Sequence, residues 1–195
     1  MVVLYAVKLF SLQNMSATRW TEDLLRQRLA PFHCAKYSWS SLDKHKDKMA
    51  HISKAAVLIP LEVRNNDVYV WFTLRTRNVT THKGHVCFPG GKKDEEDQDE
   101  IATSLRESHE EIGLEPSTVE IISVITPSLV IPPTIVTPVV GLLPRDFEPE
   151  LNRHEVEKWF CLPLRRFLRR DGQNCTYVRF LNTNLQVDSF TDIVD

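Results

Sequence analysis

Two adjacent glycines, Gly90 and Gly91, are followed by three closely spaced glutamates, Glu107, Glu110 and Glu111, in the stretch FPGGKKDEEDQDEIATSLRESHEEIGL. On a helix, i,i+3 and i,i+4 spacing from Glu107 gathers the three carboxylates into one sector about 100° wide. Like charges so placed cost only ~0.2–0.5 kcal/mol per pair in water, so the helix alone suits a solvated acidic face as well as a cation site. The surroundings add to the second reading. Gly90 and Gly91 follow Pro89 and permit a backbone approach that a side chain would forbid. Lys92, Lys93 and Arg106 bring positive charge beside the acidic sector. A hard cation such as Mg2+ takes a few carboxylates, several waters and the phosphates of a substrate, so this set suits a metal-bridged diphosphate. There the metal polarises phosphoryl oxygens and lowers the pKa of a bound water, whose proton a carboxylate can take.

These side chains need a helix to hold them. DQDEIATSLRESHEEIG is expected to be that helix, with Asp97 as its cap, Glu100 completing a capping-box pair, and Gly113 as a left-handed C-terminal cap. Ile101, Leu105, Ser108 and Ile112 fall within roughly 60° of one another and form the face that packs on a sheet.

The sheet is legible on both sides of the helix. AAVLIPLEV (55–63) and VYVWFTLRTR (68–77) are two strands joined by RNNDV, a hairpin. In the second strand Val68, Val70, Phe72 and Leu74 share one face, and Tyr69, Trp71, Thr73 and Arg75 the other. VEIISVI (119–125), IVTPVVGLL (135–143), EVEKWFCLPL (155–164) and CTYVRFL read as further strands, TPSLVIPPT as a proline-rich loop, and LRRFLRR as a short basic helix. Upstream, Thr21 caps a helix through TEDLLRQRLA that Pro31 stops, and SLDKHKDKMAHISK is a polar linker. Strands before and after one central helix make an α/β fold with a mixed sheet between helices. We divide the chain into residues 1–50, a helix and linker segment, and 51–195, the domain that carries the chemistry.

Composition sets limits. The 195 residues are 42% hydrophobic, enough for one full core, and a net charge of -2 supplies no argument for nucleic-acid binding. No apolar run approaches the ~20 residues of a membrane helix. Cys34, Cys87, Cys161 and Cys175 show no paired spacing and read as reduced intracellular thiols. Residues 1–20 hold no acidic residue and carry Lys8 and Arg19, which suits a weak targeting segment or a loosely packed terminus equally. The chain ends TDIVD, so the peroxisomal address SKL is not there.

At the glycines and the acidic helix the sequence resembles the Nudix hydrolase family. The family box runs glycine, five residues, glutamate, seven residues, then REUxEExGU with U aliphatic; here Gly91 opens it and Arg106–Leu114 (RESHEEIGL) closes it. Asp97 stands where the first glutamate is expected, Ser108 replaces an aliphatic residue, and eight residues rather than seven precede Arg106. The extra residue and Ser108 resemble the coenzyme A diphosphatase branch. That branch carries an upstream motif to which WFTLRTRNVTTHKGHVCFPGG is similar: Thr73, Arg75, Gly84 and Phe88–Gly91 match, while Trp71, Phe72, Thr76 and Thr80 depart, Thr80 in place of a second arginine. The likeness runs over about residues 55–164 and then fades.

The resemblance implies a Nudix fold, an α/β/α sandwich, whose usual C-terminal helix has no counterpart in this sequence. It implies cleavage of coenzyme A and acyl-CoA to 3',5'-ADP and 4'-phosphopantetheine with Mg2+ or Mn2+. Glu107, Glu110 and Glu111 map onto metal ligands of the box (residues 91–114), and Arg106 onto its arginine, read as a brace for a box glutamate. Gly90 and Gly91 shape the loop beside the substrate, and Arg75, with Arg77 behind it, is expected to meet the 3'-phosphate. His82, His85 and His109 are read as surface or loop histidines and Arg165–Arg170 as a solvated basic face. Family members reside in peroxisomes or mitochondria. The alternatives kept open are another nucleoside diphosphate derivative as substrate, and a Nudix-fold protein that binds coenzyme A or a nucleotide without turnover.

Overall fold

The computed structural model describes residues 19–32, 52–77, 84–130, 133–168, 173–180 and 183–190. The readings of residues 1–18, Cys34, the linker up to residue 51, Thr80, His82, Arg169 and Arg170 lie outside them.

Helix α1, Glu22–Leu29, starts where its sequence requires. Thr21 is extended and its hydroxyl accepts the Leu24 N–H at 3.2 Å. A 3-10 turn, Ala30–Phe32, carries the chain on through Pro31. Strands β1 (Ser53–Arg64) and β2 (Asp67–Arg75) form the expected hairpin. Asn65 and Asn66 turn it with φ of 54° and 61°, a left-handed pair that asparagine tolerates well. Two short strands follow, β3 (Val86–Cys87) beside β2 and β4 (Gly90–Lys92) beside β1. Helix α2 is Glu100–Ile112, and β5 (Glu120–Val124), β6 (Ser128–Val130), β7 (Thr134–Leu142) and β8 (Val156–Pro163) complete an eight-stranded sheet. Its main path is β3-β2-β1-β7-β5, with β4 on β1, β6 on β7 and β8 on β2. The β1–β7 pair is parallel, from Ser53 opposite Thr134 to Leu61 opposite Leu142; the other pairs are antiparallel. Strands β9 (Gln173–Phe180) and β10 (Thr183–Phe190) pair in a separate two-stranded sheet.

Strict alternation along the strands builds a core on each face of the large sheet. Ile59, Leu61, Val68, Val70, Phe72 and Val140 point to the side where Trp20, Leu25 and Leu29 bring α1 in. Leu58, Val124 and Val139 point to the other side, against Ile112 and Leu114 at the end of α2. Each fully buried aliphatic side chain contributes about 1.5–3 kcal/mol of transfer free energy, so both helices are held chiefly by this packing. The same alternation sends Trp71, Thr73 and Arg75 toward α2. Trp71 stacks there on Trp159 of β8 at 5.0 Å between centroids.

The structure moves several expected boundaries. The cap of α2 is Asp99, not Asp97: Asp99 is extended and its carboxylate accepts the Ala102 N–H at 2.8 Å. Glu100 is therefore the first helical residue, and no capping box forms. Asp97 is taken by the Asp94 N–H at 2.9 Å and by Arg106. Gly113 does close the helix with φ 69°, its N–H donating to the His109 carbonyl at 2.9 Å. Of the expected packing face, Ser108 and Ile112 are fully buried, and the Ser108 hydroxyl is satisfied by the Ser104 carbonyl at 2.7 Å. The proline-rich loop contains β6, and the basic segment forms a 3-10 turn, Leu164–Leu168, rather than an α-helix. Strand β10 was absent from the sequence reading, although Leu185 and Val187 alternate with polar residues there. Among the described residues no helix follows Leu168.

Candidate active site

Where β4 runs antiparallel to β1, Gly90 faces Val57 and Gly91 faces Ala56. Gly90 has φ 152°, and a Cβ there would overlap the Ala56 carbonyl oxygen and crowd Val57, so no other residue fits without moving β1. A Cβ on Gly91 would instead run into the Glu107 carboxylate. The two glycines thus do different work: the first lets the strands close, and the second leaves a cradle in which Glu107 lies.

Glu111, one turn further along α2, is buried with 1% of its surface exposed. Both of its oxygens are engaged. Oε1 accepts from Arg75 at 2.8 Å and Oε2 from the Gly90 N–H at 3.3 Å. Burial pushes its pKa up to about 7, against the pull of Arg75 and the Gly90 N–H; the charges of Glu107 and Glu155 push the same way as burial. Burial also raises Glu107, with Arg106 opposing and Glu110 and Glu155 adding repulsion. Four carboxylates therefore feel one another at the edge of the glycine loop.

Arg106 grips the outer side of this group. Its guanidinium forks onto Asp97, 3.0 Å to each oxygen, and reaches Glu107 at 3.1 Å, Glu110 at 3.3 Å and the Lys92 carbonyl at 3.0 Å. The fork holds the Asp97 carboxyl well below the usual range, and Asp97 in turn raises Arg106. Arg106 thus contacts two box glutamates, and its strongest partner is Asp97, at the variant position of the box.

The predicted set is thus brought together unevenly. Glu107, Glu111, Gly90 and Gly91 converge. Glu110 is exposed and turned toward Arg106. Arg75 lies against Glu111 and, at 3.8 Å, Glu155, with its side chain 18% exposed; Arg77 is exposed. His109 is exposed, and the His85 carbonyl accepts the Arg75 N–H at 3.0 Å. Sequence reading placed Glu155 at the start of a strand and gave it no site role; it stands just before β8. Its proximity to Arg75 comes from tertiary pairing of β2 with β8, whose register shifts at Leu74/Arg75.

Among the described residues no three His, Cys, Asp or Glu side chains stand in ligating geometry; Glu111 is hydrogen-bonded to Arg75 and Glu110 to Arg106. The donor chemistry nevertheless fits a hard divalent cation: carboxylate oxygens only, mutually repelling, beside a glycine cradle.

The NUDIX domain model matches residues 52–177. A peroxisomal coenzyme A diphosphatase of Mus musculus is 43% identical over 62% of this chain and 52% of its own length. The mitochondrial Nudix hydrolase 15 of Arabidopsis thaliana is 41% identical over 70% of this chain and 48% of its own. This chain spans about half the length of these two relatives. Among solved structures, a NUDIX hydrolase from Alicyclobacillus acidocaldarius superposes with a TM-score of 0.50 at 21% identity, over 63% of this chain and 83% of the other. A C. elegans Ap4A hydrolase also gives 0.50, at 19% identity, over 59% and 82%. At such identities these two likenesses speak to the fold.

Proposed function

This chain belongs to the Nudix family, and on that premise we propose that it hydrolyses the diphosphate of coenzyme A and its acyl derivatives to 3',5'-ADP and (acyl-)4'-phosphopantetheine. The observation that carries the reading is the glycine loop of β4 laid against the carboxylates of Glu107 and Glu111. The coenzyme A assignment is supported by the name of the mouse relative and by Thr73, Arg75, Gly84 and Phe88–Gly91 at the branch's intervals. A peroxisomal location, as in that name, or a mitochondrial one, as in the Arabidopsis relative's, belongs to the same proposal.

In this reading Glu107, Glu110 and Glu111 hold Mg2+ or Mn2+. When bound, the metal supplies Lewis acidity to the phosphoryl oxygens and acidifies water. The chain's own residues do the rest. Gly90 and Gly91 let the backbone approach the diphosphate. Arg106 keeps Glu107 and Glu110 oriented and limits their mutual repulsion. A site carboxylate takes the proton of the attacking water.

The test is incubation of the purified protein with coenzyme A and Mg2+ or Mn2+, followed by mass spectrometry for 3',5'-ADP. Product that vanishes with EDTA is expected. No product from a folded sample sinks the coenzyme A reading and directs the search to other nucleoside diphosphates or to binding without turnover.

A further inference from the structure

We infer that Arg75 is a positioning residue which, anchored by Glu155, fixes the Glu111 carboxylate for the chemistry, and that it does not serve as a phosphate receptor. The inference rests on the function proposed above. Its ground is the way the fold surrounds one guanidinium. Arg75 is the last residue of β2 and points to the α2 face, where one nitrogen reaches Glu111 at 2.8 Å and another faces Glu155 at 3.8 Å. With the Gly90 N–H on its second oxygen, the buried Glu111 carboxylate is held at both atoms and its rotation is blocked.

The backbone reinforces this pairing from both ends. The Glu111 carbonyl accepts from Asn152 N–H at 3.0 Å, and the Asn152 carbonyl accepts from Glu155 N–H at 2.9 Å. The Glu155 carbonyl then accepts from Thr76 N–H at 2.9 Å, and the Thr76 hydroxyl donates to the His154 carbonyl at 3.1 Å. Asn152 also donates its side-chain amide to Glu155 Oε1 at 3.4 Å. The segment Asn152–Glu155 therefore ties the end of α2 to the end of β2 at the point where Arg75 meets Glu111. One guanidinium nitrogen is bonded to Glu111, a second faces Glu155 at 3.8 Å, and Nε is buried without a partner, so little of the group is open to a substrate phosphate, whereas a displaced Glu111 would misalign everything it holds.

The experiment compares wild type, Arg75→Met, Arg75→Lys and Glu155→Gln with coenzyme A and with dephospho-coenzyme A, which lacks the 3'-phosphate. We expect Arg75→Met to lower kcat about 10–100-fold on both substrates with KM nearly unchanged and the wild-type preference between them kept. Arg75→Lys should recover part of the loss, and Glu155→Gln should show a smaller loss of the same pattern. A variant that keeps kcat, and whose KM rises for coenzyme A alone, would overturn the inference in favour of phosphate recognition. If wild type turns over neither substrate, the proposed function fails, and thermal unfolding still decides the pairing. Arg75→Met should lower Tm by about 5–10 °C by leaving a buried carboxylate unpaired, and adding Glu111→Gln should restore most of it. No recovery in the double variant overturns the inference.

Discussion

Arg26 on α1 grips three carboxylates and Arg106 on α2 grips four, yet the two clusters differ in more than number. Arg26 meets Glu22 at 3.1 Å, Asp23 at 2.7 Å and Glu120 of β5 at 2.7 Å, all partners that water reaches. That cluster ties a helix to a sheet edge and is open to screening by salt. Arg106 meets Asp94 at 3.5 Å, Asp97, Glu107 and Glu110, and the side chains of Asp97 and Glu107 are only 6% and 18% exposed. There the carboxylates crowd a glycine cradle and repel one another. What lies beneath the carboxylates separates the two helices more than the one extra ion pair of Arg106 does.

The largest effect should come from the most buried member of the second cluster. Glu111→Gln should cut turnover by about 10^2–10^4-fold while leaving the fold intact by circular dichroism; a variant with wild-type rates would remove Glu111 from the site. Next is Gly90→Ala. Its Cβ would strike the β1 backbone at a φ that alanine avoids, so it should cost about 2–4 kcal/mol in denaturant unfolding. Wild-type stability would show that β4 and β1 part more easily than their packing implies.

The third difference is the response to pH. Glu111 has a folded pKa raised to about 7 from an ordinary 4.5, so its contribution to stability is fully present below the unfolded value and is lost as pH rises through about 7. The loss is on the order of 3 kcal/mol. Melting temperatures of metal-free protein should fall over that window, and Glu111→Gln should flatten the fall; parallel curves for the two would contradict it. Asp97 has the opposite sign: its lowered pKa adds stability above the unfolded 3.8 that is lost as pH falls below it.

The smallest effect belongs to the exposed cluster. Arg26→Ala should shift Tm by no more than about 2 °C, less in high salt, where Arg106→Ala should shift it several-fold more by freeing the half-enclosed Asp97 and Glu107. Equal shifts would erase the contrast between the two helices.

Much of this arrangement is written in local sequence. The period-two pattern of Val68, Val70 and Phe72 fixes which face of β2 meets α1, and thereby sends Arg75 toward α2. The three- and four-residue spacing of Glu107, Glu110 and Glu111 fixes them to one helix sector. Gly113 had to be the left-handed cap, since the position demands a residue with no Cβ penalty. Such features depend on backbone geometry over a few residues, and the sequence determines them by itself.

The rest required the chain to fold back on itself. Asp97 and Asp99 carry the same carboxylate two residues apart, and only the reach of Arg106 from the next turns of α2 decided that Asp99 caps the helix while Asp97 is gripped. Gly91 is needed because Glu107 lies against it, a contact across sixteen residues of sequence. Nothing local marks Glu155 as a site residue; β2–β8 pairing and the Asn152 tie set it beside Arg75. An arginine in sequence is a cation seeking an anion, and nothing local to Arg75 names Glu111 as its partner. Tertiary structure sets it against Glu111, where burial makes an unpaired carboxylate far more costly than an unpaired surface charge.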